Sequence, residues 1–353
     1  MRQRVGLAIV MVLIISTGVV AWVSFHHPYQ PPPVDIVQMK ASSKPATPVT
    51  PAAPTAPVDP LTIAAIKSRT YAASTITVVR NLGEEGGYTS QVVSYQSDSL
   101  TIYALLDTPD GTAPAGGWPV IIFNHGYIIP SEYSTTSSYA SWEGALAKGG
   151  FMVIKPDYRG NGSSQGQPDG GHFSPVYAYD VLNLVASVGN IPGANPTRLG
   201  MFGHSMGGHE TLRAIVTSPK IKATVIAAGV VGSFNDIFYN WPSAPDLTDQ
   251  PLALTQGIRQ SLINKYGTPQ TDPDFWNSAS AINYVASVAG PVQVDQDVND
   301  SVVPKLFADH LVSALQSANK SVTNYTYPGD DHNFTNSFSL LMSRAVAFYS
   351  ANL

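Results

Sequence analysis

Residues 198–212 read RLGMFGHSMGGHETL, an apolar run that closes on a serine between glycines and then continues as helix-compatible sequence. Two readings compete for Ser205: a reactive nucleophile, or a small residue in a turn. The core GHSMG fits the pattern G-x-S-x-G, but the bare pattern is weak, because GSSQG at 162–166 also fits it around Ser164. Context separates the two. A nucleophile elbow needs a strand directly before the serine and a helix directly after it, with small neighbours that let the backbone turn sharply. Ser205 has RLGMF before it and MGGHETLRAIVTS after it, whereas Ser164 lies between DYRGNG and QPDGG, loop on both sides. Ser205 is the candidate nucleophile.

On either side of this stretch, short apolar runs alternate with helical patterns. WPVIIFNHG (118–126), FMVIKPDYRG (151–160) and KATVIAAGVVG (222–232) read as strands, and SSYASWEGALAKGG (137–150) and VYAYDVLNLVASV (176–188) as helices. Nearly continuous apolar strands separated by helices predict an α/β fold with a mostly parallel central sheet covered on both faces. QVVSYQSDSLTIYALLDTPDG (91–111) reads as two strands around a polar turn, adding antiparallel strands at one edge. Residues 233–290, rich in Trp, Tyr, Phe and Pro, form a small inserted segment between the later strands. GPVQV (290–294), a helix over 304–319, the strand VTNYTYPG (322–329) and a closing helix from about Asn333 complete the series.

The whole chain has 353 residues, 44% hydrophobic and only 12% charged, which suits one large core with appendages. A formal charge of −5 offers no basic surface for phosphates, so nucleic acid is not an expected partner. The absence of cysteine excludes disulfides, thiolate metal sites and a cysteine nucleophile. Arg2 and Arg4 precede an uncharged apolar stretch, Val5 to about Phe25, long enough for a bilayer core of about 30 Å. Residues 1–27 are therefore expected to be an uncleaved transmembrane signal-anchor rather than a cleaved signal peptide. That reading makes the membrane a partner and puts the rest outside the cytoplasm, periplasmic or extracellular. Residues 28–60, rich in Pro, Ala and Thr, read as a semi-rigid linker, and 61–353 as the catalytic domain.

A serine hydroxyl needs a base to take its proton, and the base needs a carboxylate to hold it. In an elbow architecture these follow the serine in the order acid, then histidine. His310 falls inside the helical pattern PKLFADHLVSALQ, which suits an outer layer. His332, in YPGDDHNF just past the last strand, is the candidate base. The acid is expected in DQDVNDSVVP, after the preceding strand: Asp300 first, Asp297 second. The oxyanion of a tetrahedral intermediate needs fixed N–H donors, for which the backbone amides of Met206 and Tyr127 are the candidates. His125 and His204 flank those two donors and read as wall or packing residues.

Taken together, FNHG, DYRGNGSS, GHSMGG, NDSVVP and YPGDDHNF, in this order over residues 90 to 345, resemble the α/β-hydrolases. Within them the likeness is to the catalytic domain of prolyl-oligopeptidase-type serine peptidases and to dienelactone hydrolases. The resemblance implies the α/β-hydrolase fold and a serine hydrolase acting through Ser205, Asp300 and His332, with Tyr127 and Met206 at the oxyanion, on a carboxylic ester or a peptide bond. No cluster has convincing metal-ligand spacing and no glycine-rich phosphate fingerprint appears, so no metal and no cofactor are expected. Two departures stand out. Relatives often carry H-x-G-x-x-D before the acid, where this chain has Asp295 and Asp297, and the extra charge would raise the acid's pKa or move its role to Asp297. The stretch before the first strand is also too short for the β-propeller of the large peptidases, which leaves access to the segment 233–290. Its Phe238, Tyr239 and Trp241 are candidate substrate contacts. Asp157 and Arg159 of DYRGNG are expected to form a buried ion pair near the site. The rival function is a catalytically idle hydrolase fold serving as a binding module.

Overall fold

The computed structural model describes residues 58–241 and 250–353. All of them belong to the compact unit that begins at Ala56. Nine strands form one sheet: β1 (Thr77–Glu84), β2 (Tyr88–Ser97), β3 (Leu100–Pro109), β4 (Trp118–Asn124), β5 (Met152–Pro156), β6 (Ala194–His204), β7 (Ile221–Ala227), β8 (Val292–Asp297) and β9 (Val322–Tyr327). The helices are α1 (Ile63–Ser68), α2 (Ala140–Lys148), α3 (Val176–Ser187), α4 (Met206–Thr217), α5 (Phe234–Tyr239), α6 (Gln250–Tyr266), α7 (Pro273–Ala279), α8 (Lys305–Ser317) and α9 (Phe338–Asn352).

The spatial order is β1-β2-β3-β5-β4-β6-β7-β8-β9. β1 to β3 and the β3–β5 pairing are antiparallel; from β5 through β4 to β9 every pairing is parallel. The chain adds β5 on one side of β4 and β6 on the other. The carboxyl ends of β4 and β6 therefore flank a topological switch point, where open α/β sheets hold their ligands. Central strands bury both faces. In β4, Val120 and Ile122 join the core under α3, α4 and α8, while Ile121 and Phe123 pack under α2 and α9. This two-sided burial is why these strands read as unbroken apolar runs.

Some elements differ from the expectation. β1, an edge strand exposed along nearly its whole length and kinked twice in its pairing with β2, has no buried face to impose an alternating pattern. The β2–β3 turn places Asp98 and Ser99 at φ 52° and 67°, the twist that two-residue hairpin turns require. The closing helix begins at Phe338 rather than near Asn333, because side chains of Asp330 and Asp331 hold the intervening residues in turns. The segment 233–290 contributes α5, α6, α7 and a 3-10 helix, Ala281–Ser287.

The expected membrane anchor is corrected. Among the described residues no helix is long and apolar enough to cross a membrane. The longest of them, α6, has 17 residues and carries Arg259 and Lys265; at 1.5 Å per residue it reaches about 26 Å. The stretch 1–27 on which the anchor was placed, and residues 28–57 of the expected linker 28–60, lie outside the described residues. The membrane as partner, and the exported location that followed from it, are not retained.

Candidate active site

β6 ends at His204 and α4 begins at Met206, so Ser205 alone makes the turn between them. Its backbone has φ 55° and ψ −123°, a conformation that costs a non-glycine residue about 1–3 kcal/mol. Neighbouring backbone holds it there: Ser205 N–H donates to Ala227 O (3.1 Å), and Ser205 O accepts from Gly208 N–H (2.9 Å) and Val230 N–H (3.0 Å). The motif glycines are required by closeness. A Cβ on Gly207 would lie 1.9 Å from Asn124 O, and one on Gly203 would lie 2.3 Å from Thr211 Oγ1. Ser164, the rival serine, sits in a loop where its Oγ accepts from Tyr103 N–H at 2.9 Å, a structural bond that fixes the loop to β3.

His332 Nε2 lies 2.9 Å from Ser205 Oγ, and His332 Nδ1 lies 2.8 Å from Asp300 Oδ2. Asp300 also accepts from Gln296 Nε2 (2.9 Å), Val302 N–H (2.8 Å) and Val303 N–H (2.9 Å). Burial pushes this carboxyl up, but the hydrogen bond and charge of His332, together with the Val303 and Val302 amides, outweigh it and hold the carboxyl below its ordinary value. An ionised Asp300 accepts only, so Nδ1 of His332 carries the hydrogen and Nε2 faces the serine hydroxyl as an acceptor.

Asp297, the second candidate acid, does something different. One of its oxygens accepts from Asn299 N–H (3.0 Å) and the other from Asp330 N–H (3.2 Å), so a single carboxylate straps the acid loop to the base loop. Asp295 is buried beneath the site, accepting from Tyr327 Oη (2.6 Å) and Gln293 Nε2 (2.8 Å), and burial raises its pKa to about 7. The two acidic departures from the H-x-G-x-x-D pattern thus bind structural donors. The base loop is held further by Asp330, which accepts from the amides of Asp331, Asn336 and Ser337, and by Asp331, which accepts from those of Asn333 and Thr335.

β4 delivers the second wall. A Cβ on Gly126 would lie 2.5 Å from Tyr139 Oη and 3.0 Å from Ser205 Cβ, so only glycine lets this loop pass so close to the serine. The Met206 amide opens α4, where the first N–H groups have no partner within the helix. A third loop approaches at Gly171, whose added Cβ would lie 3.5 Å from Met206 Sδ. It is held by buried Arg213, which donates to the carbonyls of Gly171 (2.9 Å), His172 (2.8 Å) and Ser174 (2.8 Å). His125 stacks between Tyr133 and Tyr158, and burial lowers its pKa to about 3.

Of the aromatic candidates, Trp241 donates through Nε1 to Val302 O at 2.6 Å, two residues from Asp300, and its ring meets His172 at 5.4 Å. Phe238 packs against Trp276 at 4.9 Å, with the Arg259 guanidinium 4.4 Å over its ring. Tyr239 is exposed. His310 pairs with Asp236 (3.1 Å) and so ties α8 to α5. Asp157 and Arg159 do not pair as expected. Asp157 accepts from Tyr133 Oη and Thr135 Oγ1, while Arg159 pairs with Asp180 at 2.7 Å and Asp98 at 3.0 Å. Among the described residues no group of His, Asp and Glu could hold a metal ion.

Comparison with known proteins adds to this geometry. The family model of X-Pro dipeptidyl-peptidases (S15 family) matches residues 98–243. Dipeptidyl peptidase family member 6 of Caenorhabditis elegans is 25% identical over 228 residues, 63% of this chain and 29% of the relative. Among solved structures, a puromycin-hydrolyzing peptidase of Mycobacterium tuberculosis aligns with a TM-score of 0.61 at 22% identity, over 76% of this chain and 40% of its own. An acetyl xylan esterase from Paenibacillus sp. R4 aligns with a TM-score of 0.62 at 16% identity, over 82% and 92%. The chain spans about a third of the length of the first curated relatives it matches. Fold and likeness together define the class: an α/β-hydrolase-type fold. Within that class the chain resembles the prolyl-oligopeptidase and dipeptidyl-peptidase serine hydrolases.

Proposed function

We propose that this protein hydrolyses a carboxylic ester or a peptide bond through an acyl-enzyme, with Ser205 as nucleophile, His332 as general base and acid, and Asp300 as the carboxylate that orients the base. The observation that carries the reading is the unbroken hydrogen-bonded series from Ser205 Oγ to His332 Nε2 and from His332 Nδ1 to Asp300, at 2.9 and 2.8 Å. Ser205 Oγ attacks the carbonyl carbon while Nε2 takes its proton, and the oxyanion is met by the Tyr127 and Met206 amides. The imidazolium then gives that proton to the leaving alcohol or amine. Water repeats the sequence in reverse, losing a proton to Nε2 and releasing the acid and the free serine.

Trp241, fixed to the acid loop, and Phe238 and Tyr239 beside it are assigned to the wall against which the acyl group rests. The relatives include both peptidases and esterases, and the triad chemistry serves both. The test is labelling of the full chain with a fluorophosphonate, alongside turnover of aminoacyl, dipeptidyl and plain acyl chromogenic substrates. An adduct on Ser205 and loss of turnover in Ser205→Ala are expected. Full turnover in that variant would overturn the reading.

A further inference from the structure

The residue before the nucleophile makes contacts that the triad does not use. His204 is buried, with Nδ1 2.7 Å from Tyr139 Oη and Nε2 2.9 Å from the backbone carbonyl of His332. Tyr139 Oη in turn accepts from Gly126 N–H at 3.1 Å. The directions of these bonds follow from chemistry. A carbonyl oxygen only accepts, so Nε2 of His204 carries a hydrogen. Burial, and then the neighbouring His332, push the His204 pKa down to about 3, so the ring is neutral and Nδ1 is a bare acceptor. Tyr139 must donate its O–H there, which leaves its oxygen free to accept from Gly126.

We infer that Tyr139 and His204 are positioning residues of the hydrolase. Their relay runs from Gly126 N–H to Tyr139 Oη, from Tyr139 O–H to His204 Nδ1, and from His204 Nε2–H to His332 O, and so fixes the oxyanion loop and the base relative to each other.

The two ends of the relay are the two parts that must agree at the reacting carbon. Gly126 lies against Ser205 and precedes the Tyr127 amide, and His332 carries the imidazole. Otherwise they arrive separately, at the ends of β4 and β9, which stand on opposite sides of β6. The middle of the relay is built rigidly. Tyr139 has φ 65° and leads into α2, with its ring 5.5 Å from Phe123 and 5.7 Å from Trp142. Just before it, buried Lys155 donates to the carbonyls of Thr135 (3.0 Å) and Ser138 (2.5 Å) while paired with buried Glu143 at 3.1 Å. His204 is clamped by Trp142 at 4.9 Å. A phenylalanine at 139 would keep the ring packing and lose only the relay.

The inference rests on the triad reading above, and its test separates the two. In the full chain, Tyr139→Phe and His204→Leu are expected to lower kcat for a p-nitrophenyl ester by about 10-fold or more, with KM nearly unchanged. His204→Gln, which keeps an amide donor near the position of Nε2, should recover part of that loss. Nitrogen NMR of histidine-labelled wild-type protein should find His204 as the neutral tautomer with its hydrogen on Nε2. If Ser205→Ala retains turnover, the triad reading falls. If Ser205→Ala is dead while Tyr139→Phe keeps wild-type kcat, the relay alone falls. Should Tyr139→Phe not fold, the wild-type spectrum still decides: a His204 hydrogen on Nδ1 would overturn the relay.

Discussion

Ser205 and His332 are held by different physics. On the serine side, glycines allow close approach: Gly207 to the Asn124 backbone, Gly203 to the Thr211 side chain, Gly126 to the Ser205 Cβ. On the histidine side, four carboxylates organise the loops by accepting backbone N–H groups: Asp297, Asp300, Asp330 and Asp331. Steric contacts of the first kind have no titrating group and tolerate no added atom. Those of the second kind depend on charge and tolerate changes of size better. Each half should therefore fail in its own way.

The largest effect is expected at the hinge between the halves. Asp300→Asn leaves the shape in place but removes the charge that holds the hydrogen on Nδ1, and kcat should fall about 1,000-fold or more; a loss below tenfold in steady-state kinetics would separate Asp300 from the mechanism. Next comes Gly207→Ala, whose methyl would meet Asn124 O at 1.9 Å. Urea unfolding should register a loss of about 3 kcal/mol or no folded protein at all, and an unchanged midpoint would break the steric half of the contrast. Asp297→Ala removes the strap between the acid and base loops and should lower kcat by about 10- to 100-fold with little change in melting temperature. Equal kcat would mean the strap positions nothing.

A pH-dependent effect sharpens the charge half. The folded-state pKa of Asp295 is raised from 3.8 to about 7 by burial, so the fold favours its protonated form. Its stabilising contribution is complete below about pH 4 and is lost as pH rises through about 7. Relative to wild type, Asp295→Asn should therefore gain stability on going from acid to neutral pH. A constant difference between the two across that window would show that Asp295 does not titrate on folding.

What could be read beforehand follows the same division. The elbow was legible because the steric needs of a sharp turn leave glycines at fixed spacing, and the central strands because burial on both faces leaves unbroken apolar runs. β1 left no such trace, since an exposed edge selects no pattern. The order of Asp300 and His332 along the chain was legible, but the tasks of Asp295 and Asp297 were not: each has one partner, the Tyr327 hydroxyl or the Asp330 amide, 32 or 33 positions away, and no local spacing encodes those. Asp330 and Asp331 left a faint signal, since paired aspartates before Asn suit turns in which side chains cap nearby N–H groups. Tyr139 left none. The supposed pair of Asp157 and Arg159 failed because two residues apart on the chain gave no indication that Asp180 lay nearer the guanidinium.

The unusual dihedral angles at position 205 carry one more implication. Glycine visits such angles freely, so Ser205→Gly should melt at a higher temperature than Ser205→Ala, which keeps the tension and loses the same hydroxyl. The sturdiest version of this molecule would then be an inert one, and heat resistance alone would be a poor guide when choosing variants for activity.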